Sequence, residues 1–240
     1  MELVINFSGG KDSTAMLAWL CETYPHVPKH VVMADTGWEH PDAISWSRAI
    51  VARFGLELHV VRNPNKTLIT MAQRRGKFPG MQTRQCTSDL KRGPIHTWIR
   101  RRWPAGNGAR HVVVSCMGIR SEESVGRSRQ KCIKLDQSLT VGEREVWVWN
   151  PIQNWTEVQV RTYLAERGLP LHPVYSHLRR FSCRVCIYMT DHDLRQVARH
   201  DPEAIGIIAT VEREIGFTMF QRGPVEDLAG CARPPIDMAG

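Results

Sequence analysis

A short apolar run, Leu3-Val4-Ile5 followed by Phe7, stops at Ser8-Gly9-Gly10-Lys11-Asp12-Ser13, and residues 12–19 then take up helical apolar spacing. The pattern reads as strand, glycine turn, helix. Such a junction gathers consecutive backbone N–H groups, the positive end of a helix and a lysine around one point, which are the parts of a phosphate site. Gly9 and Gly10 let the backbone approach an anion, Lys11 supplies a point charge, and the Ser8 and Ser13 hydroxyls can donate to phosphate oxygens. The spacing is shorter than the glycine-to-lysine interval of a Walker loop, which excludes a motor-type or GTPase reading.

The same alternation continues. Residues 30–34 read as a second strand that stops at Asp35-Thr36-Gly37, residues 41–54 as a helix, 56–61 as a third strand, 87–102 as helix and 111–117 as a fourth strand. The economical fold class is α/β, a mostly parallel, Rossmann-like sheet flanked by helices, with a Cys-containing helical extension at the C-terminus. Ligands of such sheets bind beyond the carboxyl ends of the strands, so the loops at 8–13, 35–38 and 118–127 should converge on one crevice. With 42% hydrophobic and 23% charged residues among 240, the chain has material for a sizeable core. The expected division is a nucleotide-binding domain at 1–142, an extension at 143–221 and a flexible Gly/Pro-rich tail at 222–240. Within the extension the pattern predicts a strand at 145–149 and helices at 156–167, 191–200 and 202–216, with Asn154 and Glu157 as the capping box of the first helix. No run reaches the ~18 apolar residues of a membrane span, and the first ten residues do not form an export signal, so a cytoplasmic protein without a membrane partner is expected.

Seven cysteines are spread along the chain, an odd number without the density of a disulfide scaffold, and reduced thiols are expected. Cys183-x-x-Cys186 follows Arg179 and Arg180, a spacing that allows two thiolates to share a metal or cluster and that is also compatible with a redox dithiol. Cys21 and Cys116 fall in core patterns. The formal charge of +8 is clustered at Arg74-Arg75, Lys91-Arg92, Arg100-Arg101-Arg102, Arg127 to Lys131 and Arg179-Arg180. That suits either a polyanionic partner or the solvated basic surface of a phosphate enzyme. Trp98 and Trp103 read as base-stacking residues or as anchors of an amphipathic helix.

The strand followed by Ser-Gly-Gly-Lys-Asp-Ser resembles the PP-loop ATP pyrophosphatases of the adenine nucleotide α-hydrolase superfamily. Further stretches occur in the order seen in the phosphoadenosine phosphosulfate (PAPS) reductase family: Asp35-Thr36-Gly37, Cys86 with Lys91 and Pro94, Gly118-Ile119-Arg120-Ser121-Glu122-Glu123-Ser124 with Arg127, Trp155-Thr156-Glu157, and Cys183-x-x-Cys186. The resemblance covers roughly residues 1 to 190. It implies a nucleotide site made by Ser8, Gly9, Gly10, Lys11, Asp12, Ser13, Asp35, Thr36, Gly118, Ile119 and Arg120, with Lys11, Asp12, Arg120 and Arg127 as the catalytic set. Arg120 and Arg127 would meet a second anionic group, while Glu122, Glu123 and Asp35 suit Mg²⁺ or a ribose better than phosphate.

Two departures refine these expectations. Adenylyl-sulfate reductases have a degenerate first loop without the lysine, whereas this chain keeps all six residues, which points to cleavage of ATP between the α- and β-phosphates. Their cluster ligands are a tandem Cys-Cys before Lys-x-x-Pro plus a distant Cys-x-x-Cys; Cys86 matches the first of the tandem and Thr87 replaces the second. Cys86, Cys183 and Cys186 are thereby implied as ligands of a [4Fe–4S] cluster, with zinc as the alternative metal and Cys132 or Cys231 as a candidate fourth thiolate. The expected activity is ATP-dependent sulfur transfer, with tRNA or DNA as acceptor and a protein as sulfur donor. The alternatives are a PAPS or adenylyl-sulfate reductase using Cys231, and a non-catalytic nucleotide sensor. The sequence leaves the oligomeric state open.

Overall fold

The computed structural model describes residues 1–106 and 108–231. Its elements run β1 (Glu2–Asn6), α1 (Lys11–Thr23), β2 (Lys29–Asp35), α2 (Ala43–Ala52), β3 (Leu58–Arg62), α3 (Leu68–Arg75), α4 (Gly93–Arg102), β4 (His111–Met117), α5 (Val125–Ser128), β5 (Ile133–Leu135), β6 (Arg144–Trp149), α6 (Glu157–Glu166), α7 (Asp191–His200), α8 (Pro202–Ile215) and α9 (Val225–Ala229). They fall into two compact units. The first comprises Met1–Asp35, Pro41–Arg62 and Lys91–Pro173; the second comprises Thr36–His40, Asn63–Leu90 and the chain from Val174 onward.

The chain therefore does not divide after residue 142. Strand β6 pairs in parallel with β4 from His111↔Arg144 to Cys116↔Trp149, and this long-range ladder draws β6 and α6 into the first unit. Residues 36–40 and 63–90, which the sequence pattern groups with the nucleotide domain, belong instead with the C-terminal helices. Helix α9 lies inside the stretch expected to be a flexible tail, and residues 232–240 of that stretch lie outside the described residues.

The first unit holds one six-stranded sheet in the order β3-β2-β1-β4-β6-β5, parallel except for β5, which runs antiparallel to β6. From β1 the chain builds outward through β2 and β3 on one side and through β4 on the other. The switch point is therefore beside β1, where open α/β sheets bind their ligands. Val4 points to one face while Leu3 and Ile5 point to the other, and all three are buried, as expected when helices cover both faces of a parallel sheet. On one face Val4, Val32, Val113 and Val146 pack with Ile99 and Trp103 of α4 and with Leu139. Trp98 packs against the same cluster and the Trp103 indole donates to Glu2 at 2.8 Å, so both tryptophans serve as core anchors. Ala15 and Ala18 of α1 meet Val160 and Leu164 of α6 in a separate cluster. The buried guanidinium of Arg144 is held by main-chain carbonyls, donating to Leu139 O and Trp103 O at 2.8 Å each.

Two local expectations change. The segment expected as one helix over 87–102 is a π-helix at Cys86–Arg92 that passes into α4 at Gly93. Pro94 has no N–H to carry an α-helical ladder through the junction, and π-turns are a common solution at functional segments. Arg84, just upstream, takes the left-handed conformation at φ 44°. At α6 the cap is Thr156, not Asn154: its hydroxyl accepts from Gln159 N at 3.1 Å and the Gln159 side chain accepts from Thr156 N at 2.8 Å. That reciprocal pair leaves the Glu157 carboxylate available for other work.

The second unit is helical. Its core joins Leu68 and Met71 of α3, Leu194 and Val197 of α7, Ile205 and Ile208 of α8 and Val225 of α9. Three of its helix starts are fixed by a side chain that precedes them, whereas α9 begins after Pro224 without a side-chain cap. Thr67 caps α3, Thr190 pairs reciprocally with Asp193 at α7, and Asp201 caps α8 ahead of Pro202. Among the described residues no helix is long and apolar enough to cross a membrane.

Candidate active site

The 8–13 loop sits where β1 gives way to α1. The Asn6 side-chain amide donates to Ser115 Oγ at 2.8 Å and to Cys116 O at 2.9 Å, which ties the carboxyl ends of β1 and β4 together. Gly9 turns the chain with φ 76°, a conformation open to glycine at no cost. Gly10 is the N-cap of α1 and brings no capping side chain, so the first N–H groups of a 13-residue helix face the loop without a side-chain cap, while Asp12 in the first turn is engaged by Lys11 and Arg120. Ser13 Oγ donates back to Gly10 O at 2.9 Å and accepts from Ser8 N at 3.3 Å, closing the turn on itself. The Trp46 indole donates to Gly9 O at 3.1 Å from α2.

The loop after β4 packs on this turn. A Cβ at Gly118 would stand 3.1 Å from both Cα and N of Ser13 and 3.2 Å from the carbonyl carbon of Asp12. A side chain at residue 118 would push the two loops apart by a few tenths of an ångström, so glycine favours this close approach. Ile119 continues the turn by donating its N–H to Met117 O at 2.8 Å. Arg120 then reaches back across the switch point: its Nε lies 2.6 Å from Asp12 Oδ1, one terminal nitrogen lies 2.5 Å from Glu122 Oε2, and the other lies 3.8 Å from Glu157 Oε2. Lys11, also buried, stands 3.5 Å from Asp12 Oδ2 and 3.8 Å from Glu157 Oε1. The site is thus two buried cations interleaved with three carboxylates. Glu123 accepts from Arg120 N at 3.0 Å and from the Arg127 guanidinium, so Arg127 steadies the loop rather than standing clear for a ligand.

The electrostatics follow from this packing. Burial alone would lower the Arg120 pKa, but the Asp12 charge and the hydrogen bonds to Asp12 and Glu122 outweigh it and raise it. Glu122 is held below the ordinary carboxylate value by the Glu157 backbone N–H and then by Arg120. Burial pushes Glu157 up, yet the Arg161 hydrogen bond and the charges of Lys11, Arg161 and Arg120 bring it below 4.5 overall. The sequence reading placed Glu157 only as a helix cap; its signal was the Trp155-Thr156-Glu157 stretch at the mouth of α6.

Asp35 ends β2 and pairs with Arg62 at 2.7 Å. Thr36 falls in the second unit, where its hydroxyl donates to Glu39 at 2.8 Å and its carbonyl accepts the Leu68 N–H at 3.1 Å.

All seven cysteines are thiols. Cys116 is fully buried and its pKa is pushed up to about 12 by burial, which also raises Cys21; neither is a reactive thiol. Cys86, Cys183, Cys186 and Cys231 belong to the second unit and pack against its one apolar core, whereas Cys132 is exposed in the first. Cys86 opens the π-helix, and Cys183 forms an antiparallel bridge with Glu39, its Sγ 4.0 Å from Glu39 Oε1. Arg184, between the two cysteines of the motif, is committed to Asp201 at 2.6 Å and Glu203 at 2.7 Å, so its charge is answered by carboxylates. Arg179 is paired with Asp193 at 3.5 Å. Thiolates on one zinc at about 2.3 Å would lie about 3.8 Å apart. Among the described residues no group of three ligand atoms within 4.8 Å of one another includes a cysteine. An iron–sulfur cluster seats each thiolate on a separate iron and does not require that convergence. Cys86, Cys183 and Cys186 pack against one apolar core, and their thiol chemistry suits either group.

Glu122 and Glu157 titrate below their unfolded value of 4.5, so the unfolded chain binds more protons than the folded one in mildly acidic solution. Their contribution to stability is full above about pH 4.5 and is lost as pH falls through the folded values. Glu157→Gln should flatten the fall in urea midpoint between about pH 5 and 3 relative to the parent protein; superimposable acid limbs would contradict the pairing.

The phosphoadenosine phosphosulfate reductase domain matches residues 2–188. Over 255 aligned positions the chain is 24% identical to an uncharacterised 37.8 kDa protein of Escherichia phage 186, covering 88% of this chain and 74% of that one. It is 26% identical to sulfate adenylyltransferase subunit 2 of Azospirillum brasilense over 72% of this chain, and the match spans 60% of that subunit. The crystal structure of PAPS reductase from Candida auris, a phosphate complex, shares the fold with a TM-score of 0.51 and 18% identity, over 73% of this chain and 77% of that one. The switch-point loop, the sheet order around it and the match along residues 2–188 together establish that the chain belongs to the PAPS reductase domain family.

Proposed function

We propose that the protein binds ATP at the 8–13 loop and uses it to adenylate an acceptor, the activating half of a sulfur-transfer reaction. The observation that carries this reading is the complete Ser8–Ser13 motif with Lys11 buried beside the uncapped start of α1. The β,γ-diphosphate of ATP would give that lysine a higher negative charge to meet than a sulfonucleotide's phosphosulfate. In the reaction an acceptor oxygen attacks the α-phosphorus, the bond to the β-phosphate bridging oxygen breaks, and pyrophosphate leaves with the electron pair. A sulfide-level sulfur from a donor then displaces AMP from the acceptor.

The backbone N–H groups at the start of α1 hold the departing pyrophosphate, and Lys11 offsets the charge that develops on it. Arg120 exchanges its Asp12 and Glu122 partners for phosphate oxygens and keeps the α-phosphate in line. Asp12, Glu122 and Glu157 are the hard oxygen donors that Mg²⁺ brought with the triphosphate would meet. Cys86, Cys183 and Cys186 would hold a [4Fe–4S] cluster, which when bound would supply sulfur-transfer chemistry through the iron that three thiolates leave open; a fourth thiolate from Cys231 would close that iron and leave the cluster a structural or redox role. The formal charge of +8 favours tRNA or DNA as acceptor. A reductase acting on a sulfonucleotide is the second reading, favoured by the fold shared with PAPS reductase and by Cys231 packing on the thiol-bearing core.

Pyrophosphate release separates these readings. ATP with nucleic acid should yield pyrophosphate, and Lys11→Ala should reduce the rate by about 10²-fold or more with an unchanged circular dichroism spectrum. Sulfite released from adenylyl sulfate or its 3′-phosphate by a thioredoxin system, without pyrophosphate from ATP, would establish the reductase instead. Protein purified without oxygen should contain iron and acid-labile sulfide and absorb in the visible region. Cys186→Ser should lose that absorbance, and its retention would remove Cys186 from the ligand set.

A further inference from the structure

A second basic feature lies in the first unit, away from the residues assigned to ATP. A cavity of about 280 Å³ is lined by Arg92 and His96 at the start of α4, Lys134 of the edge strand β5, and Asp136, Gln137 and Ser138 of the turn that follows. These come from basic clusters far apart in sequence that the fold brings together. Neither the Arg92 nor the Lys134 side chain forms an ion pair or hydrogen bond with another described residue. The carboxylate in the cavity is already occupied: one Asp136 oxygen accepts from Ser138 N at 2.9 Å, Ser138 Oγ at 2.6 Å and Leu139 N at 3.2 Å, and the other faces His96 Nε2 at 3.8 Å. Arg100 stands at the rim, donating to Ser138 O at 3.4 Å. Burial lowers the His96 pKa against the opposing pull of Asp136, and the charges of Arg100 and Arg92 lower it further, so both guanidinium groups act on the cavity.

The surroundings decide which anion fits. All of β5 is exposed; Ile133 and Leu135, at 52% and 39% exposure, alternate with Lys134 along the strand, and Leu135 also lines the cavity. A small inorganic anion has no use for that apolar border. A nucleic acid strand does, because its sugars and bases flank each phosphate. We propose that Arg92, Lys134 and Arg100 grip backbone phosphates of a single-stranded nucleic acid segment that runs along β5. This deepens the proposed function by locating the acceptor's backbone, and it rests on that reading for the acceptor's identity but not for the binding itself.

The test is fluorescence anisotropy with labelled 20-nucleotide single-stranded RNA and DNA of one sequence across a salt series. The parent protein should bind at least one of them, and the tighter one identifies the source of the backbone. Arg92→Ala with Lys134→Ala should weaken binding by roughly tenfold at low salt and reduce the slope of log affinity against log salt by about 1.4, the loss of two phosphate contacts on a single strand. Heat protection by ATP should be the same in both proteins, because neither residue belongs to the 8–13 site. Unchanged affinity and slope in the double variant, or displacement of the oligonucleotide by orthophosphate at its own concentration, would overturn the proposal. Loss of pyrophosphate release in an otherwise nucleic-acid-binding protein would instead count against the adenylation reading alone.

Discussion

The ion pair between Arg120 and Asp12, reaching from the loop after β4 to the first turn of α1, is the interaction on which the site depends. It spans the point where the strand order reverses, and Gly118 lets the two backbones come close there. A buried arginine is costly unless its donors are answered, and here Asp12, Glu122, the Trp155 carbonyl and Glu157 answer them. The same carboxylates hold Lys11. A buried pair of this kind contributes little net stability, yet it places two cations beside an uncapped helix start, which is the arrangement that a polyphosphate can take over by substituting for the carboxylates.

Much of this was legible in the sequence because it is local. The β1 to α1 turn follows from Ser8 to Ser13, β4 was read at its observed bounds from 111–117, and α7 from 191–200, since apolar periodicity and capping residues specify such elements over short spans. What was not legible depends on pairing across the chain. The division into units turns on the β4–β6 ladder, and no period in residues 144–149 announces which strand they join. The role of Glu157 was hidden for a related reason: Thr156 and Gln159 satisfy the start of α6, and only the fold brings the freed carboxylate to Lys11. The π-helix at Cys86 was not legible because its widened turns leave no periodicity that separates seven residues of π-helix from ordinary helix, and Pro94 looks like a normal N-terminal proline.

The thiols show how chemistry and packing divide the cysteines. Cys116 and Cys21 sit where burial raises the pKa and behave as small apolar residues. Cys86, Cys183, Cys186 and Cys231 line the apolar core of the second unit from three separate segments. The CxxC loop is braced by Arg184, whose pairing with Asp201 and Glu203 and placement over the Trp38 ring fix the backbone between the two sulfurs. That bracing is positional: a guanidinium already matched by two carboxylates lends little charge to a neighbouring thiolate.

Titration of isotope-labelled protein with ATP, followed through the backbone amides, addresses the loop directly. The account predicts saturable downfield proton shifts at Gly9, Gly10, Lys11 and Asp12, with the Arg120 side-chain resonance moving over the same concentration range as phosphate oxygens replace Asp12. Shifts confined to other parts of the sheet, with those loop amides unmoved at saturation, would contradict it.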